Sequence, residues 1–389
     1  MVFFKYLSFI ITGLLSFFNF FGFSNNFHTN NILIPIGISY YTFQGIGYIL
    51  QVYREHEKAE RNIFIFSNYF LFFPKFLSGP IELSKTFIPQ LKSVQNFKWE
   101  NIQEGVQLIL WGAFKKLVIA DRLYVIINSA YPNIGQYSGN TLFVTFLLQP
   151  LLLYCNFSGY TDIALGVGRT FGFKLTDNFN RPFFSPSVTQ FWRRWHISLS
   201  NWCNEFIFKR LSFKMRKWGS WSGFFAVFIT FLVIGIWHGA SWKFVVLGLL
   251  QGIAINYEFF TKKYRLQIAS KFPSYLVTSF SCLATYLFFC LSLTFFYANS
   301  LSDALYFISK LFINVNFSTL TLPFITDIDK VIILISLLIV FVVDFIQEQG
   351  IKEIKAWWAF PAIIIFLFFV LLINFVTSVT STPFIYTLF

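Results

Sequence analysis

Two histidines in this sequence stand where they could transfer a proton, and each directly follows a tryptophan: Trp195-His196 and Trp237-His238. Imidazole titrates near neutral pH and is the group most often used as a general acid or base. The chain of 389 residues has four histidines. The other two lie in short polar stretches and are expected to be solvated loop residues: His28 and His56. His196 and His238, in contrast, lie in largely apolar sequence, so His238 and His196 are the candidate catalytic residues.

The segment QFWRRWHISLSNW, residues 190–202, has the spacing of one helix face. A period of 3.6 residues places these side chains together: Trp192, Trp195, His196, Leu199 and Trp202. Arg193 and Arg194 fall elsewhere, toward lipid headgroups or buried acids. Tryptophans alone are typical interfacial anchors, and a single histidine beside them would be an ordinary hydrogen-bonded one. The second Trp-His pair favours the catalytic interpretation.

The sequence lacks the motifs of several other catalytic mechanisms. It contains no GxSxG elbow, no HExxH zinc motif, no P-loop and no paired carboxylates. The cysteines have neither metal-ligand nor disulfide spacing and are interpreted as small apolar residues in helices: Cys155, Cys203, Cys282 and Cys290. Acyl transfer from a thioester to a hydroxyl needs only a histidine base, because the thioester is already activated. We expect no metal and no bound cofactor.

The composition is that of a membrane protein. Hydrophobic residues make up 56% of the chain and charged residues 12%, against about 25% charged residues in soluble domains. A helix of about 20 apolar residues spans a bilayer. The sequence predicts an all-α polytopic membrane protein, one domain over residues 1–389, with about ten transmembrane helices. Their predicted positions are 4–23, 31–52, 62–80, 105–128, 141–160, 223–240, 243–260, 275–297, 331–347 and 357–377.

The net charge of +13 is explained by the positive-inside rule, because the basic residues occur in short clusters between apolar spans. Nucleic-acid binding is therefore excluded. Residues 161–222, here called the insert, contain no clean span and predict a re-entrant or interfacial segment of short helices. Its basic tail at 209–218 and a second basic cluster at 262–271 are expected on the cytoplasmic side.

Two features of the insert have structural interpretations. Asp162 follows apolar sequence and needs a cationic partner, and Arg169 lies two helical turns further on. We predict a structural ion pair between them, with a direct substrate role for Asp162 as the alternative. Gly168 and Gly172 form a GxxxG pattern, which predicts close helix packing rather than a nucleotide site, since no preceding strand is predicted.

Several blocks, read in order, resemble the membrane-bound O-acyltransferases, in the bacterial branch of alginate O-acetylases and teichoic-acid D-alanyl transferases. The resemblance covers nearly the whole chain, and the two histidine blocks are highly specific to this family. The matching blocks are 33–55, 72–82, 105–123, 156–202 (ending in FWRRWHISLSNW), 235–252 (GIWHGASWKFVVLGLLQG) and 383–389 (PFIYTLF).

The resemblance implies a ring of helices around a central funnel, thinned where the histidines meet. His238 would be the base and His196 its partner. The residues beside them are candidate substrate-binding residues: Trp195, Trp237, Ser198 and Asn201. The acyl donor, acetyl-CoA or an acyl-carrier protein, would approach from the cytosol. The acceptor would be a hydroxyl of an exported polysaccharide or envelope polymer. The protein would be a multi-pass protein of the cell's inner membrane, in contact with the lipid bilayer, and an extracytoplasmic acyltransferase is an expected partner.

The sequence departs from the family pattern in two places. It begins later than relatives, which suggests a shorter or truncated N-terminus. After the first histidine block, residues 203–219 lack the family's aromatic-Arg-Asp-Tyr run and Pro-Leu-Gly-Gly turn, and Glu205 stands near the usual aspartate. Alternatives of other classes are a proton-coupled transporter, in which the two histidines relay protons, and a non-enzymatic membrane scaffold. D-alanyl transfer is the alternative within the family.

Overall fold

A computed structural model describes residues 2–21, 35, 37–76, 79–313, 322 and 325–350. His28, the predicted span 357–377 and the terminal block 383–389 lie outside these residues. Helices joined by turns and loops make up the described part of the chain, which has no strand and only one isolated antiparallel bridge, between Phe179 and Trp195. The predicted all-α class is therefore confirmed for the residues that the structure describes.

Sixteen α-helices occur among the described residues. Their bounds are α1 Val2–Phe20, α2 Ile38–Tyr53, α3 Ile63–Leu71, α4 Ser84–Lys92, α5 Trp99–Ala113, α6 Asp121–Ala130, α7 Gly139–Thr170, α8 Val188–Arg194, α9 Ile197–Cys203, α10 Lys209–Lys214, α11 Ser220–His238, α12 Trp242–Phe260, α13 Lys262–Ala269, α14 Ser274–Tyr297, α15 Leu301–Lys310 and α16 Asp327–Glu348. A π-helical segment, Phe114–Ala120, joins α5 to α6. The four cysteines lie in α7, α9 and α14 and are free, as predicted.

Five of the described helices are long and apolar enough to cross a membrane: α7, α11, α12, α14 and α16. The total of ten spans stays a prediction. The predicted span 62–80 contains the nine-residue helix α3 and a short 3-10 turn, which are too short to cross a bilayer as one helix. The predicted insert begins too early, because α7 continues to Thr170. The short helices expected there, α8 to α10, are present after that point.

Helices α5 and α7 approach each other through four glycines, here called the glycine seam: Gly105 and Gly112 on α5, Gly159 and Gly166 on α7. A Cβ atom added at Gly105 would lie 2.7 Å from the carbonyl oxygen of Gly166. One added at Gly159 would lie 2.8 Å from that of Gly112. Small residues at such contacts let two helix backbones pack closely. The seam fixes α7, the longest described helix, at the centre of the fold.

We expect Gly159→Ala to destabilise the protein by about 1–3 kcal/mol, because the added methyl group overpacks the seam. Gly223 on α11 is the matched control, since a Cβ atom there meets no atom within 4 Å. Gly223→Ala is expected to be neutral or slightly stabilising. Thermal unfolding of both variants in detergent measures the difference. Equal melting temperatures would contradict close packing of α5 on α7.

The predicted GxxxG packing of Gly168 and Gly172 is wrong. Helix α7 ends at Thr170, so Gly172 lies beyond it, with a φ of 85°. The Phe173 N–H donates to the Gly168 carbonyl over 2.9 Å, the pattern of a Schellman cap, in which glycine accepts the left-handed conformation. The pattern therefore marks the end of a helix and not a helix interface.

Helices α11 and α12 form a second close pair. A Cβ atom added at Gly235 would meet the carbonyl oxygen of Phe244, and one added at Gly248 would meet that of Phe231. This contact places the C-terminal end of α11, and with it His238, against the first turn of α12. The buried core lies between the two close pairs and includes Phe157 of α7, which is fully buried.

Candidate active site

His196 does not lie within a helix. Helix α8 ends at Arg194 and α9 begins at Ile197, and His196 between them has the left-handed values φ 43° and ψ 53°. The prediction of one continuous face over residues 190–202 is therefore wrong at this point. The chain is held in the turn by the bridge between Phe179 and Trp195, and the Asn180 N–H donates to the Arg194 carbonyl over 2.9 Å. His196 is 1% exposed.

His238 is the last residue of α11. Gly239 is in extended conformation, and its N–H donates to the Ile236 carbonyl. A Cβ atom at position 239 would collide with the ring of Phe244, so the chain turns into α12 at the one residue type that fits. His238 is half-buried, and its ring lies 5.5 Å from that of Phe296, edge to face.

The structure brings the two histidines to the same tryptophan. The Trp237 ring centroid lies 6.2 Å from that of His196 and 4.9 Å from that of His238. On its other side, His196 meets the edge of Phe157 at 4.7 Å. Burial lowers the pKa of His196 well below its usual range, and the nearby His238 lowers it further. The lowered pKa favours the neutral imidazole, in which one ring nitrogen donates a hydrogen bond and the other accepts one.

Helix α2 supports this tryptophan from behind. Phe43 stacks between Trp202, at 4.4 Å, and Trp237, at 5.5 Å. The Trp202 indole N–H donates to the Phe43 carbonyl over 2.9 Å. Offset stacking of this kind contributes roughly 0.5–1.5 kcal/mol per pair beyond area burial. Phe43 was not predicted as a site residue, and only its place in the matching block 33–55 pointed to it.

The four candidate substrate-binding residues have different surroundings. Trp237 touches both histidines. Trp195 is 3% exposed and packs mainly against Phe191 and other aromatic rings of the core. The Ser198 hydroxyl oxygen accepts the Ile81 N–H over 3.0 Å, which connects the insert to the loop that precedes α4. Asn201 is exposed and lines a neighbouring cavity.

Three cavities form a series in which neighbours share lining residues, and the last of them is lined by His238. The outermost, about 1080 Å³, lies between α8, α12, α13 and α14, and its lining includes Arg193, Lys262 and Arg265. The second, about 340 Å³, shares Arg193 with the first and contains Asn201. The third, about 30 Å³, shares Trp192, Phe231 and Ile234 with the second and is lined by His238.

The predicted ion pair between Asp162 and Arg169 is wrong. Both lie on α7, two turns apart along the axis, and each has a nearer partner on α5 or just beyond its end. Asp162 pairs with Lys115 of the π-helical segment at 2.6 Å, and Arg169 pairs with Glu104 at 2.6 Å. The Lys115 ammonium also donates to Ser158 over 2.8 Å. Lys115, which is buried, was missed, although a lysine inside the predicted span 105–128 signals an internal partner.

Other charges fix the insert. Arg194 pairs with Glu348 at the end of α16 at 2.9 Å, which confirms that it turns toward an acid. Glu258 of α12 accepts the first backbone N–H groups of α8, from Val188 at 2.6 Å and Thr189 at 2.9 Å. A carboxylate at a helix N-terminus is stabilising. His56, predicted to be solvated, is exposed. Across the described ranges, no group of three His, Cys, Asp or Glu side chains is placed to share a metal ion.

Several known proteins are similar in sequence to most of this chain. The sequence model of MBOAT, the membrane-bound O-acyltransferase family, matches residues 50–300. A protein of Pseudomonas putida named "Probable alginate O-acetylase AlgI" is 34% identical over 255 residues, which are 66% of this chain and 52% of that protein. The peptidoglycan O-acetyltransferase of Helicobacter pylori is 32% identical over 333 residues, 78% of this chain and 60% of that protein.

The name of a third relative refers to a different acyl group, D-alanyl. The teichoic acid D-alanyltransferase of Bacillus subtilis is 30% identical over 276 residues, 67% of this chain and 69% of that protein. The chain spans about half the length of the alginate O-acetylases that it matches. The matched range, residues 50–300, contains His196, His238 and all residues that line the second and third cavities.

Proposed function

Because the chain belongs to the membrane-bound O-acyltransferase family, we propose that it moves an acetyl group from a cytosolic thioester to a hydroxyl of an exported polysaccharide or cell-envelope polymer. The observation that carries this proposal is the meeting of His196 and His238 at Trp237, next to a cavity. Relatives named for O-acetylation of alginate or peptidoglycan favour acetyl as the group and a polymer as the acceptor.

His238 is the general base in this proposal. It removes the proton of the acceptor hydroxyl as the oxygen attacks the thioester carbonyl carbon. The tetrahedral intermediate collapses to the ester, and the thiolate leaves and takes the proton from the imidazolium of His238. The thioester and the hydroxyl are thus converted to the ester and the free thiol, with no further reactant. Neutral His196 orients the reacting groups by hydrogen bonding. Trp237 between the rings fixes their spacing.

We place the chain as a multi-pass protein of the inner membrane, with about ten helices in a ring around a funnel, following the family resemblance and the span length of about 20 residues. The basic segments at 209–218 and 262–271 lie on the cytoplasmic side. The three cavities then lead from the cytoplasmic surface to His238. The acceptor approaches from the opposite side, where an extracytoplasmic acyltransferase would pass the group onward.

The rim of the outermost cavity carries a prediction about the donor. Acetyl-CoA and the prosthetic group of an acyl-carrier protein both contain phosphate, and Arg193, which is exposed, lines both the first and second cavities. Arg193→Ala is expected to raise the donor KM about tenfold, or about 1.4 kcal/mol, with kcat little changed. Lys217→Ala is the control, because Lys217 is exposed and lines neither cavity. An unchanged KM in Arg193→Ala would contradict this donor path.

Purified protein in vesicles tests the function directly. Labelled acetyl-CoA or acetylated acyl-carrier protein is supplied on one side, with alginate, peptidoglycan or teichoic acid fragments on the other, and the labelled ester is measured. We expect His238-dependent ester on one acceptor. D-alanyl-loaded carrier tests the second candidate, which the Bacillus subtilis relative favours. Proton flux without any ester formation would instead support the transporter.

A further inference from the structure

The backbone at His196 is held in an uncommon conformation. Among the described residues, three other than glycine have positive φ: Glu55, Arg181 and His196. Residues other than glycine are uncommon in this region, and they persist in it where neighbouring structure determines their conformation. His196 is also 1% exposed, so solvent does not hold it there. Contacts from another part of the chain must therefore fix this turn.

Asn178 supplies those contacts. Its carbonyl oxygen accepts the Ile197 N–H over 3.0 Å, and its side-chain oxygen Oδ1 accepts the Ser198 N–H over 3.1 Å. These are the first two N–H groups of α9, which have no acceptor within their own helix. A helix N-cap side chain usually accepts the second or third N–H of its helix, but the His196 side chain makes no such bond. Asn178 takes that role from a segment that precedes His196 by 18 residues.

The environment of Asn178 is as closed as that of His196. Its relative exposure is 0%. An N–H group can donate only to the amide oxygen, so the bond from Ser198 fixes which way the Asn178 amide points. The next two residues extend the contact, since Phe179 forms the bridge with Trp195 and the Asn180 N–H donates to the Arg194 carbonyl. Both sides of His196 are thus bonded to the same three-residue segment.

We propose that Asn178 is a positioning residue for His196, holding its backbone left-handed so that the imidazole faces Trp237 and His238. The proposal rests on the function proposed above, because it gives that orientation a catalytic purpose. An ordinary N-cap side chain at position 196 could also bond to an N–H group at the start of α9. It would not fix the backbone conformation of residue 196, and so would not fix the direction of its side chain. The clamp from Asn178 sets that direction from outside the helix.

Asn178→Ala and the matched variant Asn180→Ala test the proposal. Asn180 is the same residue type two positions on, is exposed, and contacts the turn through its backbone only. We expect Asn178→Ala to lower kcat by about 10- to 100-fold, since a displacement near 1 Å in a site has effects of that size. The donor KM should stay within twofold. Asn180→Ala should match the unchanged protein in both constants.

A second measurement does not depend on activity. The chain has four histidines, so the His196 ring signal in a ¹⁵N-histidine spectrum can be assigned by single substitutions. It should shift in Asn178→Ala and not in Asn180→Ala. If the unchanged protein forms no ester, the proposed function fails, and this spectrum still decides whether Asn178 holds the ring.

Folding is the control for both measurements. If Asn178→Ala yields no monodisperse protein, Asn178→Ser replaces it, because the shorter hydroxyl stays polar but does not reach the Ser198 N–H. A folded variant with kcat within twofold and an unmoved His196 signal would overturn the proposal. Failure of both variants to fold would also overturn it, because Asn178 would then hold the fold and not the imidazole.

Discussion

His238→Ala is expected to lower the rate of ester formation on the order of a thousandfold, the middle of the range for loss of a general base. The variant removes the only proton acceptor that the mechanism assigns to the attacking hydroxyl. His238 is at the end of α11 and half-buried, so its truncation should leave the helix pair α11–α12 intact. The measurement is the initial rate in vesicles, with the amount of folded protein held equal.

His56→Ala is the control for this prediction. His56 is exposed, is bonded to Gln51 and lines none of the three cavities described above. It should retain the full rate, which would show that histidine replacement alone does not disturb the membrane-bound protein. Ester formation at the normal rate by folded His238→Ala would remove His238 from the chemistry, and another group would then have to accept the hydroxyl proton.

The second large effect concerns stability and the pair of Asp162 with Lys115. Lys115 is 4% exposed at its side chain, and Asp162 17%. The Lys115 ammonium also lies 5.5 Å from the centre of the Tyr154 ring. Asp162→Ala leaves this cation buried without its carboxylate, which we expect to destabilise the protein by about 3–5 kcal/mol. Unfolding by denaturant in detergent measures the change.

Glu104→Ala provides the comparison, because its pair with Arg169 is exposed, 55% at the glutamate and 32% at the arginine. Exposed pairs contribute about 0–1 kcal/mol. The double variant Lys115→Met with Asp162→Leu should recover most of the stability lost in Asp162→Ala, since apolar residues often replace buried ion pairs without loss. Similar losses in Asp162→Ala and Glu104→Ala would contradict the burial of the first pair.

The sequence was sufficient to find the two histidines, because their chemistry and the repeated Trp-His pair depend on residue type alone. It was not sufficient for the conformation of His196. A 3.6-residue period runs through residues 190–202 without a break, whereas the real helix stops at Arg194. The cause is Asn178, whose bonds to Ile197 and Ser198 come from outside the periodic segment. Periodicity describes a helix alone and contains no information about such tertiary bonds.

Charge pairing shows the same limit. The need of Asp162 for a cation was predicted correctly, and the choice of Arg169 was wrong. A partner on the same helix is the nearest in sequence, but Lys115 is nearer in space because the glycine seam brings α5 and its π-helical extension against α7. The seam itself consists of glycines seven residues apart on each helix, a spacing that becomes meaningful only once both helices are aligned.

The glycine seam also bears on how the site could open. Backbones in direct contact cannot slide or tilt without collision, so α5 with α7, and α11 with α12, each behave as a rigid body. His238 belongs to the second body, and His196 rests on Phe157 of the first. The apolar cavity beside His238 is lined by both bodies, with Leu153 from the first and Leu247 from the second. A hinge motion of one body against the other would therefore change the distance between the imidazoles while leaving each helix pair unaltered.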